Sequence, residues 1–373
     1  MQTTKFSFNN KKLPLLSIGC MRFDGREQAN ELIPYCVENG AIYLDTSPMY
    51  CYQSEEENNE TWVGSAIKGI RDKVILSAKC SPGNGGDGIG EYDKAHGFSI
   101  TTADQVRAEI EQSLKRLDVD YFDVYQLWTC SSMVVYKEAF KKGGWMEGVM
   151  KAKEEGLFRH LGITTHSGND FIKMAVDEGI FETITAPFHI MDNSRLDGFL
   201  YAILKNVAPV AMNPLAGGTL AEPGRHTAAK LADKEIASSV DLALRYINSY
   251  GITALAGMSN IEQAKINIEV MRKPVLTIDR AESLRTRFLQ MIDAAQFKCA
   301  SCGYCMPCPQ EIDIPEIFKL WNQVKVLGIS ESTEALKQIS VKIEDCTKCG
   351  SCEKKCPNRL EILKMLDIIK NEI

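Results

Sequence analysis

Eight short apolar runs alternate with longer charged segments through the first three quarters of the chain. The runs are mostly apolar on both faces, and a cysteine-dense stretch follows them. Strands that are apolar on both faces belong to a parallel sheet covered by helices, and eight strand–helix units close such a sheet. These observations predict an α/β protein: a (β/α)8 TIM barrel followed by a small, mostly α-helical domain. The boundary is expected near residue 285, giving domains 1–285 and 286–373.

The strand candidates, in order, are LLSIGC (Leu15 to Cys20), AIYLDTS (Ala41 to Ser47), VILSAK (Val74 to Lys79), FDVYQLW (Phe122 to Trp128), HLGITTH (His160 to His166), TITAPFH (Thr183 to His189), APVAMNP (Ala208 to Pro214) and TALAGM (Thr253 to Met258). Segments between them, such as ADQVRAEIEQSLKRLDV and KEIASSVDLALRYINSY, repeat apolar residues at spacings of three and four, which predicts amphipathic helices. A doubly wound open sheet is the alternative, weakened because no G-x-G-x-x-G follows the first strand. The charged segment TIDRAESLRTRFLQMIDAAQF reads as a helical connector without Gly/Ser composition. Beyond it, IPEIFKLWNQVKVLG, opened by Pro315 and closed by Gly328, and STEALKQISVKIED carry helical spacing.

With 373 residues, 45% of them hydrophobic, the chain can bury a full core plus a smaller domain. A formal charge of −6 with no basic tract argues against a nucleic-acid partner. The start MQTTKFSFNNKKLP has no apolar h-region, and no segment approaches the roughly 18 apolar residues of a membrane span. The expectation is a cytoplasmic protein, in a reducing compartment.

Eight of the thirteen cysteines fall in two runs, CASCGYCMPCP from Cys299 and CTKCGSCEKKCP from Cys346. C-x2-C-x2-C-x3-C-P is the ferredoxin signature, in which three close thiolates bind one iron–sulfur cube and the cysteine before proline ligates the other. Two 4Fe–4S clusters are therefore expected. Cys299, Cys302, Cys305 and Cys356 would hold the first, and Cys346, Cys349, Cys352 and Cys308 the second. The first run has only Met306 and Pro307 between Cys305 and Cys308, one residue short of the signature. Zinc, which favours paired C-x2-C knuckles, is the alternative. The 37 residues between Cys308 and Cys346 fit a helical insertion in a ferredoxin-like domain.

At the strand ends, YLDTSPMY, ILSAK, GLFRHLGITTHS, NPLAGGTL and GMSNIEQAKIN resemble, in order, the strand regions of the aldo/keto reductases. With the cysteine runs, the chain resembles that family's iron–sulfur branch. The resemblance implies carbonyl or alcohol chemistry on a small-molecule substrate, with Tyr50 as proton donor, Lys79 beside it and Asp45 paired with the lysine. The family's histidine after the fourth strand is replaced by Trp128, which offers one N–H donor and no titratable nitrogen. His166 and His189, on the predicted rim, are the candidates to supply an imidazole. The resemblance also implies NADP(H), with Thr164, Thr165, Thr185 and Met212 at the nicotinamide side and Asn213 and Gly257 as further cofactor-binding residues. Ser259, Asn260, Gln263 and Asn267 form a polar loop and helix start for its phosphates. The family's basic residues for the 2′-phosphate are not evident there.

Cys20, Cys51, Cys80 and Cys130 follow or end the first four predicted strands, and read either as small hydrophobes or as a thiol-lined pocket. A 4Fe–4S cluster passes single electrons and a nicotinamide a hydride, so linking them calls for a flavin, for which no motif is present, or a radical-tolerant substrate. The expected function is an oxidoreductase with electron transfer through the clusters and a redox partner protein. The alternative is a cluster-carrying electron-transfer or binding protein whose barrel has lost that chemistry.

Overall fold

A computed structural model describes residues 1–221, 233–291, 299, 301–326 and 330–373. The chain divides into two compact units, Met1–Phe188 with Ser194–Met212 and Tyr250–Val275, and His189–Asn193 with Asn213–Ser249 and Leu276–Ile373.

The first unit opens with a hairpin, β1 (Thr3–Phe8) and β2 (Lys11–Pro14). Asn9 and Asn10 turn it with φ of 49° and 63°, the left-handed pair that a two-residue hairpin loop demands. Eight parallel strands then close a barrel: β3 (Leu16–Gly19), β4 (Tyr43–Asp45), β5 (Ile75–Cys80), β6 (Phe122–Leu127), β7 (Phe158–Thr164), β8 (Thr183–Pro187), β9 (Ala208–Met212) and β10 (Thr253–Gly257), with β10 pairing β3. All eight predicted strands are present in order. Phe6, Phe8 and Leu13 of the hairpin pack with Tyr43, Ile75, Val124, Val210 and Leu255 in one apolar cluster.

The helices of this unit are α1 (Arg26–Glu38), α2 (Asn59–Ile67), α3 (Ala103–Leu117), α4 (Met133–Ala139), α5 (Trp145–Glu154), α6 (Asn169–Asp177) and α7 (Leu196–Leu204), with Ile261–Val270 after β10. α3 starts at a capping box, Thr102 accepting from the Gln105 N–H while the Gln105 side chain reaches back. α2 and α3 approach so closely that a Cβ on Gly64 would lie 2.4 Å from the Leu117 carbonyl oxygen. Between them lies a buried ionic triad. Arg116 donates from Nε to Glu60 at 2.6 Å and from Nη2 to Glu109 at 3.0 Å. Burial, opposed by Arg116 and reinforced by Glu60, raises the Glu109 carboxyl to about 7.

In the second unit, α8 (Ser239–Asn248) precedes β10 in the chain, α9 denotes the Ile261–Val270 helix already placed in the first unit, and α10 (Ile278–Met291) covers most of the predicted connector. Residues 292–297 of that connector lie outside the described residues. Tyr246 of α8 donates to Glu282 of α10 at 2.9 Å. Further on come α11 (Ile314–Trp321), α12 (Thr333–Ser340), α13 (Ser351–Lys354) and α14 (Ile362–Glu372). Pro315 stands in the first turn of α11 as expected, whereas Gly328 lies outside the described residues. Ile312, Ile317, Phe318, Trp321, Leu366 and Ile369 form the apolar cluster of this region. Among the described residues, no helix is long and apolar enough to cross a membrane.

Arg116→Leu should strand two buried carboxylates and destabilise the fold by about 3–5 kcal/mol. Because Glu109 has a folded-state pKa above the ordinary carboxylate value, its unfavourable contribution grows as pH rises from about 4.5 through about 7. Thermal melts should therefore show the Arg116→Leu deficit to be larger at pH 8 than at pH 5.5; an equal deficit would mean the triad is electrostatically idle.

Candidate active site and cluster region

Catalytic side chains in such barrels sit where the strands end at their C-terminal side. β4 ends at Asp45 and β5 carries Lys79, adjacent parallel strands that bring the two into a buried ion pair, Lys79 2% and Asp45 3% exposed. The remaining carboxylate oxygen accepts from Gln126 Nε2 at 2.8 Å and from Ser77 Oγ at 3.3 Å. Gln126 Nε2 also donates to Ser77 at 2.8 Å, and Thr185 Oγ1 donates to Gln126 Oε1 at 2.9 Å. Four strands thus contribute to one polar chain inside the barrel.

Tyr50 lies on the segment between β4 and α2. Its carbonyl accepts the Asn59 N–H at 3.1 Å. The Asn59 side chain, wholly buried, accepts from Thr46 at 2.7 Å and donates to the Cys20 carbonyl at 2.7 Å. The Lys79 ammonium stands 4.8 Å from the centre of the Tyr50 ring and 5.8 Å from that of Trp128. Trp128 meets Tyr50 edge to face at 6.0 Å and is stacked by Phe98 at 4.5 Å. Asp45, Tyr50, Lys79 and Trp128 are therefore brought together.

The other predicted residues divide. His166 is fixed through its backbone, its N–H to Ser131 Oγ at 3.1 Å and its carbonyl to Arg195. His189 belongs to the second unit, where its Nδ1 accepts the Asp192 N–H at 3.2 Å within its own turn. Thr164 uses its hydroxyl to accept the Thr129 N–H at 2.8 Å. Asn213 accepts the Gly217 N–H in a local turn. Asn260 caps α9 by accepting from Gln263 at 2.9 Å, Gln263 Oε1 accepts the Ser259 N–H at 2.8 Å, and Asn267 is buried further along the helix. Gly257 has a structural reason to lack a side chain, since a Cβ there would lie 2.8 Å from Arg22 Cγ.

Cys51 is half-buried and donates from its thiol to the Phe23 carbonyl at 3.1 Å. Cys20, Cys80 and Cys130 are wholly buried, and Cys80 accepts the Trp145 indole N–H at 3.1 Å, facing α5. Burial, then the Asp45 charge, raise the Cys20 thiol well above its ordinary value. Sequence reasoning missed Ser77, Gln126, Phe98, Asn59 and Arg22. The one available signal was Gln126, a polar residue in the otherwise apolar strand run FDVYQLW.

In the C-terminal region Cys305 has its thiol pushed up to about 12, first by burial and then by Cys302, Cys299 and Cys356. Those are the four cysteines that the cross-ligation rule groups. Cys346 likewise acts on Cys352, and Cys349 is the exposed member of its run. Most of these cysteines pack against the apolar cluster around Ile317 and Trp321. Among the described residues, no three His, Cys, Asp or Glu side chains stand close enough to hold a single ion. The donor set, all thiols against an apolar wall, fits iron–sulfur clusters.

A closed parallel barrel with a buried lysine–aspartate pair under a tyrosine defines an oxidoreductase-type site. The sequence model of the aldo/keto reductase family matches residues 15–286, and that of a 4Fe-4S dicluster domain matches residues 298–361. The chain belongs to the aldo/keto reductase family. It is 25% identical over 320 residues to the uncharacterized oxidoreductase YqkF of Bacillus subtilis, covering 78% of this chain and 98% of that protein. It is 28% identical over 252 residues to L-galactose dehydrogenase of Arabidopsis thaliana, covering 61% and 73%. The fold is shared with aldo-keto reductase AKR11C1 of Bacillus halodurans, with a TM-score of 0.62, 23% identity and coverage of 77% and 96%. It is also shared with a Klebsiella pneumoniae aldo/keto reductase solved with NADP and acetate, at TM-score 0.60, 20% identity and the same coverages.

Gln126→Leu should remove one hydrogen bond each from Asp45 and Ser77 and leave the Thr185 hydroxyl without its acceptor inside the barrel. The expected cost is about 1–3 kcal/mol for each buried group left unsatisfied, read as a lowered denaturant midpoint at unchanged slope. A wild-type midpoint would show that the polar chain does not support the ion pair.

Proposed function

We propose that this protein interconverts a small carbonyl and alcohol substrate at the C-terminal mouth of its barrel, with electrons carried through two 4Fe–4S clusters to or from a redox partner protein. The observation that carries the reading is the Lys79 ammonium, fixed by Asp45 and facing the Tyr50 ring at 4.8 Å. A phenol with an ordinary pKa near 10 releases its proton more readily beside a cation, because the cation stabilises the phenolate left behind. In the reductive direction the carbonyl oxygen takes the Tyr50 proton as the carbonyl carbon gains a hydride, giving the alcohol. Lys79 then holds the phenolate until a proton returns. Trp128 and Phe98 wall the site and keep water from the reacting oxygen.

When bound, a nicotinamide would supply the hydride that balances this reduction; the clusters would carry single electrons, and joining the two would call for a flavin or a radical-tolerant substrate. NADP(H) is the proposed carrier. Asn260 and Gln263 order the start of α9, whose backbone N–H groups suit a phosphate, and Arg22, packed over Gly257, adds a guanidinium to that side. Cys299, Cys302, Cys305 and Cys356 would hold one cluster, and Cys346, Cys349, Cys352 and Cys308 the other. The second reading, a cluster carrier whose barrel no longer turns over, is favoured by Trp128 at the family's histidine position.

Tyr50→Phe should lower turnover by about 10²–10⁴-fold at an unchanged melting temperature. Lys79→Met should lower turnover by a similar factor but also lower the melting temperature, because Asp45 is left buried without its counter-ion; the double variant should lose little more turnover than Lys79→Met, since the residues act as a unit. Near-wild-type turnover in Tyr50→Phe would remove it as the donor. Anaerobically purified protein should carry about eight irons and eight labile sulfides. Cys305→Ser and Cys356→Ser should each lose the same half of the iron, with no further loss in the pair, while Cys308→Ser should lose the other half. Loss of all the iron in the Cys305/Cys356 pair would break the cross-ligated assignment.

A further inference from the structure

The two cysteine runs differ in what surrounds them. From Cys299 to Pro309 the chain carries no charged residue, whereas from Cys346 to Arg359 it carries Lys348, Lys354, Lys355 and Arg359 against Glu353 alone. All four cations are exposed, in a chain whose formal charge is −6. Lys354 and Lys355 have no ion-pair partner among the described residues. The Glu353 carboxylate is tied to α14, its Oε1 accepting the Leu363 N–H at 3.0 Å.

The same run reaches the surface in two places. Cys349 is the one exposed cysteine among the described residues. Cys346, in the same triplet, lines a cavity of about 360 Å³. Buried Ile343 and Leu366 with half-buried Leu363 give that cavity its apolar wall, and exposed Lys348 and Lys370 stand on it as well. Lys348 bonds Asp367 at 2.9 Å, and Lys370 stands 3.8 Å from Glu344. Exposed pairs of this kind contribute little to stability, so both ammonium groups can turn to a partner's carboxylates at small cost.

We propose that this face is the docking surface for a small, acidic, single-electron carrier protein, and that electrons enter or leave the chain at the cluster of Cys346, Cys349 and Cys352. The proposal rests on the reading of the cysteines as two 4Fe–4S clusters. Carboxylates of the carrier meet Lys348, Lys354, Lys355 and Arg359, and an apolar side chain of the carrier enters the cavity against Ile343 and Leu366, an apolar centre inside a charged rim. In each encounter one electron leaves the reduced carrier and enters the oxidised cluster, or passes the other way, and no bond is made or broken. The first run, uncharged and with Cys305 packed against the apolar cluster, offers no such surface.

The test uses the full chain, loaded with its clusters under anaerobic conditions, and a purified flavodoxin as the acidic carrier. Stopped-flow mixing with reduced flavodoxin should give a second-order rate that falls at least about tenfold between about 0.01 M and 1 M salt, as the Debye length shrinks from about 30 Å to about 3 Å. Lys354→Glu with Lys355→Glu should lower the low-salt rate at least about tenfold, converge on the wild type at high salt and retain its iron. Calorimetric titration with oxidised flavodoxin should show Kd raised by a similar factor in that variant. The same charge reversal at Lys141 and Lys142, on the barrel unit, should leave rate and Kd unchanged. If the Lys354/Lys355 variant loses iron, Lys370→Glu, on α14 away from the ligands, decides by the same readings. No transfer, a salt-independent rate, or an equal loss in the Lys141/Lys142 variant, in a chain carrying about eight irons, would overturn the docking face and leave the cluster reading standing. A chain that binds no iron would overturn both.

Discussion

An ammonium ion at 2% exposure, Lys79, is tolerable inside a barrel only if a counter-ion and further polar groups replace the water it has lost. Asp45 supplies the charge, but a carboxylate has two oxygens, and the second must be satisfied as well. Ser77 and Gln126 do that, and Gln126 is itself oriented by Thr185. One buried cation thereby dictates polar residues on β4, β5, β6 and β8, strands that packing alone would fill with aliphatic side chains. The register of β4, β5 and β6 is fixed by the same requirement, because a slip of one residue turns these groups out of the interior.

That dependence explains what the sequence revealed. The eight strands were legible because burial on both faces leaves mostly apolar runs, and Thr102 with Gln105 marks the start of α3 as plainly as any local signal can. The hairpin β1–β2 was missed although Asn9-Asn10 between alternating residues is a hairpin turn signature. At the site, Asp45, Tyr50 and Lys79 were found by resemblance. Gln126 and Thr185 were not assigned to the ion pair, since a lone amide or hydroxyl in a strand gives no indication of what it bonds. Glu60, Glu109 and Arg116 sit at positions that look solvent-facing on charged helices, and only the close approach permitted by Gly64 buries them.

The cysteine region obeys a different rule. Thiols at steps of three can be gathered by short turns alone, but Cys356 reaches Cys305 only if the chain between the two runs doubles back. α11, α12 and α14 accomplish this by packing Ile317, Phe318, Trp321, Leu336 and Leu366 together. The apolar cluster is thus what brings the two cysteine runs toward one another. It also surrounds Cys305 with a medium that disfavours a free thiolate, which ligation to iron relieves.

Trp128 is the residue whose consequences spread furthest. An indole is too large to be left uncovered beside Tyr50, and its faces are best covered by another ring, which Phe98 provides at 4.5 Å. Phe98 can be held there only by a loop long enough to return over the barrel, and the return is possible only where Gly97 passes Pro48 without a side chain.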